Sequence, residues 1–144
     1  MEYNLKINEA QAQVLTDALN IYARLGMGQI YEILEHPDLR QRMLDSLETY
    51  GIMGYCREVC EMLRRTIFGL PANTYYSISN REISDRNRIA YDLLQVIRHR
   101  LVWDRAGNPP ERDHKTMFGP IYDEPMHFSE EQPLPSIDRL DSQA

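Results

Sequence analysis

The sequence predicts a mainly α-helical single domain that opens with a short strand and ends in an extended, proline-rich C-terminal arm. Long stretches carry apolar residues at helical spacing, which is typical of helices that pack along one face. Polar and apolar residues alternate over residues 3–7, the pattern of a half-buried strand. Six of the eight prolines lie within residues 109–135, which excludes a long helix there. We therefore divide the chain into a helical domain, residues 1–104, and an arm, residues 105–144.

The first helix has clear signals at both ends. Asn8 can cap it, with Gln11 three positions later completing a variant of the capping box. Gly26 is a natural stop. Gly28 follows two residues later, and a second apolar helical pattern then runs to residues 36–37, where the His-Pro pair should end it.

Two further helices are predicted in the middle of the chain. Residues 38–50 are polar and helix-prone, with a narrow apolar seam, and Gly51 breaks them. The next helix carries a wide apolar stripe and is predicted to belong to the core. That stripe consists of Ile52, Cys56, Val59, Cys60, Leu63 and Ile67. Residues 74–78 then alternate, so they could pair with the opening strand as a two-stranded element.

The stretch from Ser84 to Asp104 is predicted to be the central helix. Ser84 can cap it, and Asp85 suits the positive end of the helix dipole. A broad apolar face runs along this helix. Beside it lies a row of four polar residues, which are separated by four, three and four positions. The polar row consists of Arg88, Asp92, Gln95 and His99. Its arginines make this helix locally basic within an acidic chain.

Composition narrows the possible functions. A chain of 144 residues with 42% hydrophobic residues can bury a core as one domain without disulfides or metals. A net charge of -6 argues against extended nucleic-acid binding. No secretory signal or membrane-spanning run is visible, so we expect an intracellular protein. Cys56 and Cys60 are interpreted as reduced core residues, because no zinc-type spacing is present; we predict no metal site and no cofactor.

The candidate ligand-binding residues are basic side chains and a glycine turn. Gly26 and Gly28 just before a helix can form a backbone nest for an anion. Guanidinium groups suit phosphate, and they would strengthen the site if they converged on that turn. His99 adds a polar group whose charge can change near neutral pH. The candidate residues are Arg24, Gly26, Gly28, Arg88, Arg98 and His99. No nucleophile elbow or metal-ligand pattern stands out, so we predict no catalytic residue and no enzyme, and disfavour a nucleotide hydrolase.

Three stretches carry a resemblance to a known family. They are Ala23–Leu34, Ile83–Arg105 and the short EEQPLPSID segment near the C-terminus. In these stretches the chain resembles a family of small, mostly uncharacterised accessory proteins of tailed bacteriophages. The resemblance implies a non-virion accessory protein that acts in the cytoplasm of the infected bacterial host. It supplies no catalytic residue.

Two functions are compatible with these observations. The first is capture of a phosphorylated small molecule, in its sharpest form a nucleotide signal of host antiviral defence, by Arg88, Arg98 and the Gly26–Gly28 turn. The alternative is an interaction protein that binds and inhibits a host protein through its acidic surface and its arm. In both cases we expect the arm to dock, because it carries several large apolar residues. It would dock on its own domain or on a neighbouring subunit of a homo-oligomer.

Overall fold

The computed structural model describes residues 2–46, 49–106 and 123–140, and these residues form a mainly helical fold. In chain order the elements are α1 (Glu9–Gly26), a 3₁₀ helix (Ile30–Glu35), α2 (Pro37–Leu44), α3 (Thr49–Phe68) and α4 (Asp85–Ala106). The predicted Asn8 capping box is confirmed, with both reciprocal hydrogen bonds at 2.9 and 3.0 Å. No helix in the described part of the chain is long and apolar enough to cross a membrane.

The predicted strand does not form, and no strand occurs within the three described ranges. Tyr3 is 88% exposed, and no ladder of backbone hydrogen bonds holds residues 2–8. The segment expected to pair with them is bonded elsewhere, since the Tyr76 amide donates to the Met27 carbonyl at 2.9 Å. Alternating residues alone cannot hold a strand without a partner ladder.

Helices α1 and α4 pack against each other and form the main core. Small residues on α1 allow the two helices to approach closely. Near the crossing, the Asn87 side-chain amide donates to the Tyr22 carbonyl at 3.0 Å, and a Cβ on Gly26 would lie only 1.9 Å from the Asn87 Nδ2. A side chain at position 26 would therefore displace the Asn87 amide from its bond to Tyr22. The buried residues of this helix pair include Ala12, Thr16, Ala23, Ala90, Leu94, Ile97 and Leu101.

Helix α3 packs against the 3₁₀ helix and α2, and it approaches neither α1 nor α4 among the described residues. It is therefore less buried than its apolar stripe predicts. Cys60 and Arg64 are buried on its inner side, whereas Leu63 and Ile67 are exposed. The two cysteines are free thiols, Cys60 buried and Cys56 half-buried.

Part of the predicted arm lies on α4 of the same chain. The buried Asp92 carboxylate accepts the Phe128 and Ser129 amides at 2.9 and 3.0 Å. The Phe128 ring meets Tyr91 edge-on, and Ile137 packs against the core between α1 and α4. Residues 107–122 and 141–144 of the arm lie outside the described residues. The domain boundary at residues 104–105 stays a prediction.

Candidate functional site

The Gly26–Gly28 turn ends α1, and its amides are engaged within the turn. The Met27 and Gln29 amides donate to the Arg24 carbonyl, and the Gly28 amide donates to the Leu25 carbonyl, each at 3.0 Å. The φ angle of Gly28 is +82°, which favours glycine. The expected anion nest is thus replaced by a helix terminus whose donors already have acceptors.

Arg24 and Arg88 brace loops instead of presenting free guanidinium groups. Arg24 donates to Asn20 at 2.9 Å and to Gln29 at 2.6 Å, and it lies 3.8 Å from the Glu32 carboxylate. Arg88 donates to the Asn80 carbonyl at 3.0 Å, so it ties the loop before α4 to that helix. Arg88 and Asp92, four residues apart on α4, form no salt bridge. Arg88 lies 3.9 Å from the Asp85 carboxylate, and Asp92 holds the C-terminal segment.

Arg98 and His99 lie elsewhere on α4. Ten residues of helix separate Arg98 from Arg88, which is about 15 Å along the axis. The His99 ring meets Trp103 edge-on, with centroids 6.1 Å apart. The predicted site residues therefore do not converge, although Arg98 retains a buried Nε without a hydrogen-bond partner.

A cavity of about 530 Å³ opens between the 3₁₀ helix, α2, α3 and the loop at residues 73–75. Of the predicted site residues, Gly28 alone lines it. The lining combines three arginines, two glutamates, two tyrosines and two methionines with a few small or apolar residues. Those charged, aromatic and methionine residues are Arg40, Arg57, Arg64, Glu35, Glu61, Tyr31, Tyr75, Met43 and Met53.

Arg64 builds one wall of the cavity. It is 2% exposed, pairs with Glu61 and donates to the carbonyls of Pro71 and Thr74. These bonds fasten the loop at residues 73–75 to α3. The Arg64 hydrogen bond lowers the pKa of the Glu61 carboxyl below its ordinary value, because it stabilises the charged form. Glu61 is thus held as a carboxylate that orients Arg64.

The remaining charges leave the cavity positive. Arg40 pairs with Glu35 at 3.0 Å, whereas Arg57 forms no ion pair with any described residue. Three guanidinium groups and two carboxylates give a net charge of +1 around the opening. This balance is that of a site for an anion, in which the Arg57 fork is available to the ligand.

The two tyrosines give the cavity an aromatic wall. Burial and the neighbouring Glu32 carboxylate raise the pKa of the Tyr31 phenol, so it remains a hydrogen-bond donor at neutral pH. Tyr75 lines the same cavity. Met43 and Met53 supply apolar, adaptable surface. A ligand with an anionic group and a flat organic ring would fit this chemistry.

None of the cavity residues Tyr31, Tyr75, Arg57 and Arg64 is among the ligand-binding residues predicted from the sequence. The arginines of α3 are visible in the sequence. Whether they bind a ligand depends on which side of that helix faces the cavity. In the described ranges, no three His, Cys, Asp or Glu side chains are grouped to hold a metal ion.

Comparison of the chain with protein-family models, with curated proteins and with solved structures found no match.

Proposed function

We propose that this protein binds a phosphorylated small molecule in the cavity beside α3. The observation that carries the proposal is the Arg57 guanidinium, which lines the cavity and has no ion-pair partner among the described residues. A volume of about 530 Å³ is within the roughly 300–1,000 Å³ usual for small-molecule sites. The protein would bind this ligand without converting it, and the ligand would lie in the cavity and not at Arg88 or Arg98.

The phosphate would bind Arg57 through two parallel hydrogen bonds. Arg40 can join it, since its pair with Glu35 is more than half exposed and exchanges readily with solvent or ligand. Arg64 keeps its protein partners and acts by holding the wall in place. Tyr31 and Tyr75 would stack on a nucleobase, a contact worth about 1–3 kcal/mol per base. A nucleotide has both a phosphate for the arginines and a base for the tyrosines.

The originally predicted residues support this site indirectly. Arg24 holds Glu32 next to Tyr31, and the left-handed Gly28 lets the chain turn from α1 into the 3₁₀ helix that carries Tyr31. The resemblance to phage accessory proteins suggests that the protein acts in an infected bacterial cell. In that setting the ligand is a nucleotide signal of host antiviral defence, captured in the cytoplasm of the infected cell.

Thermal unfolding of the protein against linear and cyclic nucleotides tests the proposal. A ligand at 100 times its dissociation constant adds about 2.7 kcal/mol, so we expect a rise of several degrees with one phosphorylated compound. Arg57→Gln should weaken that binding at least tenfold, because a charge-assisted contact is worth about 1.5–3 kcal/mol. Arg86→Gln is the matched control, since Arg86 is exposed on α4 outside the cavity.

Two results would contradict the proposal. Binding that survives Arg57→Gln but disappears in Arg88→Gln or Arg98→Gln would move the site to α4. No shift with any compound in the panel would instead favour the alternative function, inhibition of a host protein.

A further inference from the structure

One face of α3 is apolar and uncovered. The helix turns Cys60 and Arg64 inward, and the adjoining face points away from the 3₁₀ helix and α2. Tyr55, Met62 and Ile67 on it are 60–68% exposed. No charged residue interrupts the face. We call this set the α3 apolar face: Ile52, Tyr55, Cys56, Val59, Met62, Leu63, Thr66 and Ile67.

The spacing on this face is that of a helix-pairing seam. Ile52, Val59 and Thr66 recur every seven residues, as the a positions of a heptad do. Tyr55 and Met62 each follow one of them by three residues, at the d positions. Such a repeat is the pattern by which two helices pack knobs into holes. The seam covers 15 residues, which is about 22 Å of helix. An exposed apolar stripe of this length on a single helix is typical of an interaction surface.

Charges on one edge of the seam identify the partner. Glu58 and Arg65 flank the same edge seven residues apart, and both are exposed; Arg65 also attracts Glu61 of its own chain. In an antiparallel pair of identical helices, Glu58 lies near Arg65 of the partner subunit and Arg65 lies near Glu58 of the partner subunit. A parallel pair would place Glu58 against the apolar Leu63 of the partner subunit. The charges therefore complement themselves only in reversed order.

We propose that a second copy of this chain packs antiparallel on the α3 apolar face and forms a two-fold dimer. The interface is isologous, because the same seam and the same two charges serve both subunits. The sequence predicted that the arm docks on its own domain or on a neighbouring subunit. Phe128 and Ser129 of the arm bond to Asp92 on α4 of their own chain. Arg57 and the cavity lie on the opposite side of α3 from the seam, so both sites of the dimer stay open. This inference does not depend on the proposed function.

The oligomeric state of the full chain tests this proposal. We expect sedimentation equilibrium to give twice the chain mass of 16.9 kDa. Met62→Asp places a charge in the seam and should raise the dimer dissociation constant at least a hundredfold. Met62 is 60% exposed, so the single subunit should still fold, which circular dichroism checks. Met126→Asp is the matched control, because Met126 is 63% exposed on the C-terminal segment, and it should leave the dimer intact.

The antiparallel order has its own test. Glu58→Arg and Arg65→Glu should each weaken the dimer about tenfold, and the double variant should restore it because both ion pairs are rebuilt with reversed polarity. Single reversals without effect would overturn the antiparallel pairing. A wild-type protein that is monomeric at every concentration would overturn the dimer. A Met62→Asp protein that still dimerises would overturn the α3 apolar face as its interface.

Discussion

The α1–α4 pair and the α3 region use the same kind of amphipathic helix to different ends. Between α1 and α4 the apolar faces are buried against each other, and the buried Asp92 carboxylate has two amide donors. On α3 the buried side carries the charged Arg64, a cavity lies beside it, and much of the apolar stripe is exposed. The first region is a scaffold, and the second is a surface available for binding.

The difference follows from the size of the neighbouring elements. Helix α3 has 20 residues and is about 30 Å long, whereas α2 has eight residues and is about 12 Å long. A short helix and a 3₁₀ helix can cover only part of such a length. Helices α1 and α4, of 18 and 22 residues, match each other and bury a continuous interface. The apolar face of an amphipathic helix is therefore fully buried only where an element of matching length packs against it.

Paired leucine truncations give the largest expected contrast between the two regions. Leu94 is 2% exposed in α4, so Leu94→Ala should lower the free energy of unfolding by about 3 kcal/mol through lost burial and a cavity. Leu63 is 41% exposed in α3, and Leu63→Ala should cost less than about 1 kcal/mol in dilute, monomeric protein. Urea denaturation measures both. Equal costs would mean that α3 is as well packed as α4.

The anchor of the C-terminal segment gives an intermediate effect. Asp92→Asn replaces one accepting oxygen by an NH₂ group that faces a backbone amide, so we expect a loss of about 2 kcal/mol. Hydrogen exchange should speed up across residues 123–140 and stay slow in α1. Asp138→Asn, an exposed change on the same segment, serves as the control. Unchanged exchange in the Asp92→Asn protein would refute the anchoring role of this carboxylate.

The Glu61–Arg64 pair in the α3 region gives the smallest effect, and it depends on pH. Because the folded pKa of Glu61 is lowered, the pair stabilises the fold above the ordinary glutamate pKa and loses that effect as pH falls through the lowered pKa. Glu61→Gln should therefore cost less than about 1 kcal/mol at pH 7, since the carboxylate is 33% exposed, and nothing at low pH. Thermal melts across this range measure the difference. Glu124→Gln, a change on the exposed C-terminal segment, should show no such dependence; a constant cost for Glu61→Gln would contradict the assignment.

Local signals predicted several helix ends, although the predicted break at Gly51 is wrong because α3 (Thr49–Phe68) continues through that residue. The Asn8 cap, the stop at Gly26 and the start of α4 at Asp85 all appear where the residues indicate, because caps and glycine stops act within one turn of the chain. The prediction of a strand at residues 3–7 was wrong because strand formation does not depend on local signals alone. A strand needs a distant partner, and the segment at residues 74–78 bonds to Met27 instead.

The candidate site depended on distances that a sequence does not contain. Gly26 and Arg88 were predicted site residues because of their residue types. In the structure Gly26 gives room to the Asn87 side chain, and Arg88 holds a loop. Arg57 lies outside the apolar stripe predicted for its helix and was not a predicted site residue. Its position beside Tyr31 and Tyr75 follows only from how α3 rotates against the 3₁₀ helix.

The sequence by itself determined the helical class, the cap of α1, the end of α1 at Gly26 and the start of α4, since these depend on residues within a few positions of each other. The tertiary structure decided which apolar stripe became core, which arginine lined the cavity and which carboxylate held the C-terminal segment. Those outcomes depend on contacts between residues far apart in the chain, such as Asp92 with Phe128 and Gly26 with Asn87. Helical periodicity specifies that a face is apolar, and packing alone specifies what covers it.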